Sequence, residues 1–567
     1  MKFSEMQYVR PSFSVVTEKI EILLESMRYA SNYEDFREGI TKIEIIRRDF
    51  LGNLELAFIR NSIDVSDEFY TIEKEIADNV LPQFQELEKQ YFDVLLQSSF
   101  ENEINAEFGK HLLMLLRCKS ETISPAIIED LQKENKLIGE YNELKAKAEI
   151  EFKCEKYNLV ELEKFDIHDD RNLRREAKDV FYQWYASHNE KLDSIFDELV
   201  KLRHNMALKL GYKNYIELAY KNRLRLDFNE NDATNFHNAI IKHIVPVVVQ
   251  FKKAQAKRIG LEYLDYFDLA YQFNDGNPTP KGDHEFMSDK TAEICKELSP
   301  ELSKFFEFMR SNELMDLNAK ANKMPGGYCT VLLQHNAPFI FSNNNGTADD
   351  VYVLTHELGH AYQQYCSMNY PIREYVFPSA ESAEIHSMSL ELFVLPWAEK
   401  YFKEEANKFR YSHLLSTISA LAYTACGDHF QHWVYENPFC TPQERNMKWL
   451  ELEKLYMPVS YNNTSEYLKC GRRWQRQMHF YEAPFYFIDY GLAQICAHQL
   501  WLESKVDMKS AWRKYETLCK LGGSKSFLNL LKGADLKSPF EEETVREISE
   551  VVRDYLERID LENSTKV

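Results

Sequence analysis

Two histidines and a glutamate stand together in the order His356-Glu357-Leu358-Gly359-His360. On a helix, residues four apart lie one turn apart on the same face, so both imidazoles can point at a single metal ion. Glu357 is offset by one residue, which sets its carboxylate beside such an ion rather than on it. A base in that place can take a proton from a water that the metal polarises. Imidazole is a borderline ligand suited to Zn²⁺, and a catalytic zinc keeps its fourth position open. The bland alternative is a surface helix with two solvated histidines and a salt-bridging glutamate. Leu354, Leu358, Ala361 and Tyr362 argue against it, because they give the helix an apolar face to bury.

A catalytic zinc takes a third protein ligand. A third histidine on the HExxHxxGxxH pattern is excluded, since Gln363 and Cys366 occupy the glycine and histidine places. The segment 378–393, PSAESAEIHSMSLELF, offers Glu381, Glu384, His386 and Glu391 instead. Glu384 and Glu391 share one helix face. One can ligate while the other orients a ligand histidine.

Such a centre needs rigid supports, and the composition points to helices. Only 18 Gly and 17 Pro occur in 567 residues, about 6% where ~12% is usual. That excludes sandwiches, barrels and Pro/Gly-rich disorder, and 44% hydrophobic residues are enough for a large core. Residues 12–97 and 171–273 read as amphipathic helices. Residues 148–165 alternate as a small hairpin would. Two short apolar runs, 328–333 and 338–342, predict a second hairpin just before the motif. Thr347 and Asp350 stand in capping-box relation, so a helix is predicted from Thr347 to about Met368. A second helix is predicted over about 379–395.

HELGHA followed by a helix of the AEIxSxxLE type resembles the oligoendopeptidase F and thimet-oligopeptidase group of zinc metallopeptidases. Gly327-Tyr328-Cys329 and Pro338-Phe339-Ile340 are similar to that family's glycine-rich segment and edge strand. Leu521-Gly522-Gly523-Ser524 through Gly533-Ala534-Asp535 resembles its C-terminal block, and Asp170-Arg171 and Leu210-Gly211-Tyr212 its upstream helices. Gln363 departs from the histidine often found there, which is not a ligand in the family. The resemblance implies Glu384 as third ligand and Glu391 as the supporting carboxylate. It also implies His479, Tyr486 and Tyr490, within HFYEAPFYFIDY, as donors to the scissile carbonyl's oxygen. Read from composition alone, those aromatics would be core residues.

The expected fold is therefore mainly α-helical, of gluzincin type, with a small β-hairpin and two helical halves around a deep channel. Three regions are expected: residues 1–110, an N-terminal helical region; 111–195, a helical subdomain with a small hairpin; and 196–567, the catalytic domain. The expected activity is zinc-dependent cleavage of internal bonds in short peptides, with one zinc per chain and Glu357 as general base. The strand 338–342 is expected to align the substrate by strand addition. A metallocarboxypeptidase or dipeptidyl peptidase on the same scaffold is the nearer alternative, and an inactive peptide-binding protein the more distant one. The net charge of −21 argues against nucleic acid as a partner. No apolar run approaches a membrane span and no secretory leader is visible, so a cytoplasmic location is expected.

Overall fold

A computed structural model describes residues 1–458 and 465–564; helices dominate, with two small sheets among them. The first sheet is the expected hairpin, in which β1 (Ile150–Phe152) runs antiparallel to β2 (Glu155–Tyr157). Its tight turn puts Lys153 and Cys154 at positive φ, the twist that two-residue hairpin loops require.

The second sheet differs from expectation in one respect. β4 (Tyr328–Leu332) and β5 (Ala337–Asn344) form the expected antiparallel pair, joined through Asn336 in the left-handed region. A third strand, β3 (Met315–Asn318), pairs parallel with β5 on its other side. The order β3-β5-β4 makes β5 the central strand. The resemblance to an edge strand at Pro338–Ile340, and strand addition at 338–342, are therefore corrected: both edges of β5 are already taken. β3 is four residues long and half-buried, too short for alternation to reveal it.

The motif helix spans Ala348–Ser367, and the second predicted helix spans Ala380–Phe393. The start of the motif helix is built differently from the predicted capping box. The Thr347 hydroxyl makes no cap. Instead the Asp350 carboxylate accepts the backbone N–H of Asn345 at 3.0 Å and of Gly346 at 2.6 Å. Gly346, at φ 88°, folds the preceding turn back so that these donors face Asp350.

Two large hydrophobic cores and one small cluster result among the described residues. The N-terminal helices Phe13–Arg28, Tyr33–Ile63 and Glu68–Gln97 bury Ile20, Leu24, Phe36, Phe50, Phe84 and Tyr91 among themselves. Ile372 and Tyr375, from the connection between the two site helices, join that cluster. The larger core includes the long helix Ala406–Glu436, and Val331, Leu333, Met368 and Val376 form the small cluster. Arg47 fastens the two together, since its buried guanidinium meets Glu374 at 2.7 Å and Glu88 at 2.7 Å, with Glu44 beside it. Removing one member of such a buried network strands a charge, at a cost of about 3–5 kcal/mol. The N-terminal helices are thus tied to the segment that sets the angle between the site helices. Among the described residues, no helix is long and apolar enough to cross a membrane.

Candidate metal centre

The two site helices meet at Gly359, the fourth residue of the motif. A Cβ there would lie 2.5 Å from the carbonyl oxygen of His386 and 2.6 Å from Cα of Ser387. Only glycine permits that approach, and the approach brings Glu384 under the two histidines.

Glu384 Oε2 lies 3.3 Å from His356 Nε2 and 3.6 Å from His360 Nε2. These three atoms all fall within 4.8 Å of one another. Glu391 Oε1 is 2.7 Å from His356 Nδ1. That hydrogen bond puts the proton on Nδ1 and leaves the Nε2 lone pair facing the centre. Two imidazole nitrogens and one carboxylate oxygen, converging with a carboxylate-fixed tautomer behind them, fit a zinc ion. Glu381 and His386, the other candidates, stay out of the centre. The Glu381 carboxylate takes the Ser379 hydroxyl at 2.7 Å, and His386 is fully buried beside the Ala383 carbonyl.

The local field suits a cation. Burial opposes charge on His356, yet Glu384 and Glu391 hold its pKa well above the ordinary histidine value. Burial likewise opposes charge on Glu384, but His360 and His356 hold its pKa well below the carboxylate range. Glu357 is 8% exposed, and burial raises its pKa, partly offset by the two histidines. No hydrogen-bond donor among the described residues meets its carboxylate. Gly327 lies close by: a Cβ there would be in ordinary contact with Glu357 Oε1 at 4.0 Å and with Phe341 O at 3.4 Å.

The aromatic cluster is brought to the same place. Tyr486 donates its hydroxyl to Glu384 Oε1 at 2.9 Å. Its ring lies parallel to that of His479 at 5.6 Å and edge-on to that of Tyr490 at 5.1 Å. Tyr486 is aimed by a strained backbone. Phe485 has φ 63°, a costly value for a bulky residue. It is held there by Gln431, which accepts its N–H at 2.8 Å, and by Arg225, which donates to its carbonyl. His479 has its pKa lowered to about 4, by burial first and then by the Arg223 charge, so it stays neutral at ordinary pH.

Several contributors escape motif reading. The Ser387 hydroxyl reaches Glu384 Oε2 at 3.1 Å. His413 lies with Nε2 3.5 Å from Glu391 Oε2 and stacks on Tyr352. Gln477 contacts His479 Nδ1, and the Arg223 guanidinium sits 4.8 Å from the Tyr486 ring centroid. A lone histidine or arginine on a mixed helix carries no spacing signal. Gly359 was the one legible hint, since a glycine inside a helix needs a packing reason. Gln363, in the place of the family's extra histidine, donates to Ser367 at 2.9 Å and to the Val376 carbonyl at 3.2 Å, bracing the connection to the next helix.

Comparison with known proteins gives the family. Residues 3–123 match the Peptidase M3 N-terminal domain, and residues 166–550 match Peptidase family M3. Oligopeptidase PepF of Bacillus subtilis (strain 168) is 22% identical over 399 residues, covering 69% of this chain. The oligoendopeptidase F homolog of Borreliella burgdorferi is 25% identical over 391 residues, covering 65% of this chain. The chain spans 58% and 62%, respectively, of the length of these two curated relatives. The solved structure "PZ peptidase A with inhibitor 2" is 43% identical and superposes with a TM-score of 0.93 over 98% of this chain and 99% of its own. A match running through the metal helix, the carboxylate helix and the aromatic cluster leaves one assignment: this chain belongs to peptidase family M3.

Proposed function

We propose that the chain is a zinc-dependent endopeptidase that cuts internal bonds of short oligopeptides. His356, His360 and Glu384 hold the ion, and Glu391 orients His356. When bound there, zinc would polarise the scissile carbonyl and acidify a water. Glu357 takes the proton of the attacking water and passes it to the leaving amine, a role suited to a carboxylate whose pKa burial has raised. His479, Tyr486 and Tyr490 supply neutral N–H and O–H donors for the oxygen as it gains charge. The carrying observation is the convergence of Glu357 and Tyr486 on the centre that Glu384 and the two histidines share.

The sheet supports a revised substrate path. The outer edge of β4 has no strand partner among the described residues, and the strand follows directly on Gly327, which lies close to Glu357. A peptide added along that edge would run past the base. Residues 1–110, which share their core with the helix Lys110–Glu121, serve as a wall of the channel, 111–195 as a helical subdomain and 196–567 as the catalytic domain.

The test is a quenched peptide of about ten residues blocked at both ends. Internal cleavage that a chelator abolishes and zinc restores is expected; an exopeptidase would leave the blocked peptide whole. The same sequence grafted into a rigid loop of a stable domain should resist, because threading it would cost that domain its ~5–15 kcal/mol of stability. Equal rates on both substrates would remove the channel.

A further inference from the structure

A second cluster of metal-capable side chains lies away from the His356 centre, on other helices. His237 comes from the helix Glu230–Ala239, and Asp428 and His432 come from the long helix Ala406–Glu436. Asp428 Oδ2 is 2.9 Å from His237 Nε2 and 3.2 Å from His432 Nδ1. All three ligand atoms fall within 4.8 Å of one another, as in the first centre. We propose that His237, Asp428 and His432 form a second site for a divalent ion of the zinc class.

Three observations carry this. The first is an orphaned acceptor. Asp428 is fully buried, and its Oδ1 has no hydrogen-bond partner. A buried carboxylate oxygen left unpaired is costly, and an ion held by both oxygens of Asp428, with the histidines on the Oδ2 side, would satisfy it.

The second is the orientation of His432. Its Nε2 is 3.0 Å from the Tyr220 hydroxyl, which can accept an N–H from it. Its Nδ1 then faces two oxygens, Oδ2 and the backbone carbonyl of Asp428, the latter at 2.9 Å. A lone pair aimed at two oxygens is repulsive unless a positive species lies between them. A proton would do, and so would a metal; the donor set of two imidazoles and a carboxylate is the one zinc takes. Tyr220 then orients the ligand ring as a carboxylate or carbonyl commonly does.

The third is the local charge balance. Arg225 pairs with Asp489 at 2.7 Å and also feels Asp428 and Glu381. Asp489 Oδ2 and Glu381 Oε2 are, like Asp428 Oδ1, buried and unpartnered. Arg223 also acts on Asp489, and burial raises the Glu381 pKa to about 8, so the Asp428 charge is the one left to the two histidines, and a divalent ion between them would balance it. His429 stacks parallel to His237 at 5.1 Å, and His432, with its side chain 12% exposed, is the most accessible of the three proposed ligands.

The test counts zinc per chain by elemental mass spectrometry after extensive dialysis. The wild type should carry two equivalents, and the double variant His356→Ala/His360→Ala should keep one. The double variant His237→Ala/His432→Ala should also keep one, together with peptide hydrolysis. A wild type with one equivalent and a His356→Ala/His360→Ala variant with none would overturn the proposal, leaving a proton in the cluster. So would two equivalents in His237→Ala/His432→Ala. Because His356→Ala/His360→Ala leaves the second cluster untouched, a folding defect in the other variant cannot hide the answer.

Discussion

The Tyr486 hydroxyl donates to Oε1 of Glu384 at 2.9 Å, while Oε2 of the same carboxylate faces His356 and His360. Under the proposed roles, Tyr486 would touch both the ion's ligand set and the place where the substrate oxygen gains charge. The phenol is held before substrate arrives, which is the preorganisation that electrostatic catalysis needs.

Tyr486→Phe removes that hydroxyl and keeps the ring against His479. Zinc should remain at the wild-type level, because all three ligands stay. Steady-state kinetics should show kcat lowered by about 10²–10³, the usual loss for one oxyanion donor, with KM little changed. A kcat within a few-fold of wild type would remove Tyr486 from the reaction.

Glu384→Ala and Glu391→Ala separate the ligand from its support. The first should lose the zinc at this centre, as two imidazoles alone hold it poorly. The second should keep the histidines but lower activity or zinc affinity by ~10–100-fold, because His356 loses the acceptor that fixes its tautomer. Zinc titration of both proteins decides the matter. Retention in the 384 variant with loss in the 391 variant would reverse the two roles.

Much of this centre was legible because its parts are spaced by helix geometry. His356, Glu357 and His360 obey a one-turn rule, and Glu384 and Glu391 a two-turn rule. His479, Tyr486 and Tyr490 came from family resemblance, not spacing, and the structure shows why: the left-handed kink at Phe485 breaks any period between them. The central place of β5 escaped too, since it depends on β3, a four-residue strand whose pairing is set by the fold around it. The capping of the motif helix was read in the right residues but the wrong pattern. Asp350 serves the turn before the helix, and Thr347 caps with its backbone carbonyl rather than its hydroxyl.

His498 gives a pH dependence with a definite sign. It is fully buried, donates from Nδ1 to the Gln494 carbonyl at 2.7 Å, and burial lowers its pKa to about 4. An unfolded histidine titrates near 6.5. Between those values the unfolded chain binds the extra proton, so stability falls as pH drops below 6.5 and levels off below 4. His498→Gln should cost stability at pH 7. Its deficit relative to wild type should shrink by roughly 2–3 kcal/mol at pH 4.5. Denaturant titrations of both proteins at the two pH values measure this, and a constant deficit would mean that burial does not shift the His498 pKa from its unfolded value.

The most direct measurement of the central claim is hydrolysis by Glu357→Gln, taken together with its zinc content. Glutamine keeps the size of the side chain and leaves His356, His360 and Glu384 in place, so zinc should stay at the wild-type level. It cannot accept the water's proton, and turnover should fall by at least ~10², within the 10²–10⁴ that general-base catalysis supplies. Near-normal hydrolysis by a zinc-loaded Glu357→Gln protein would contradict the account at its centre.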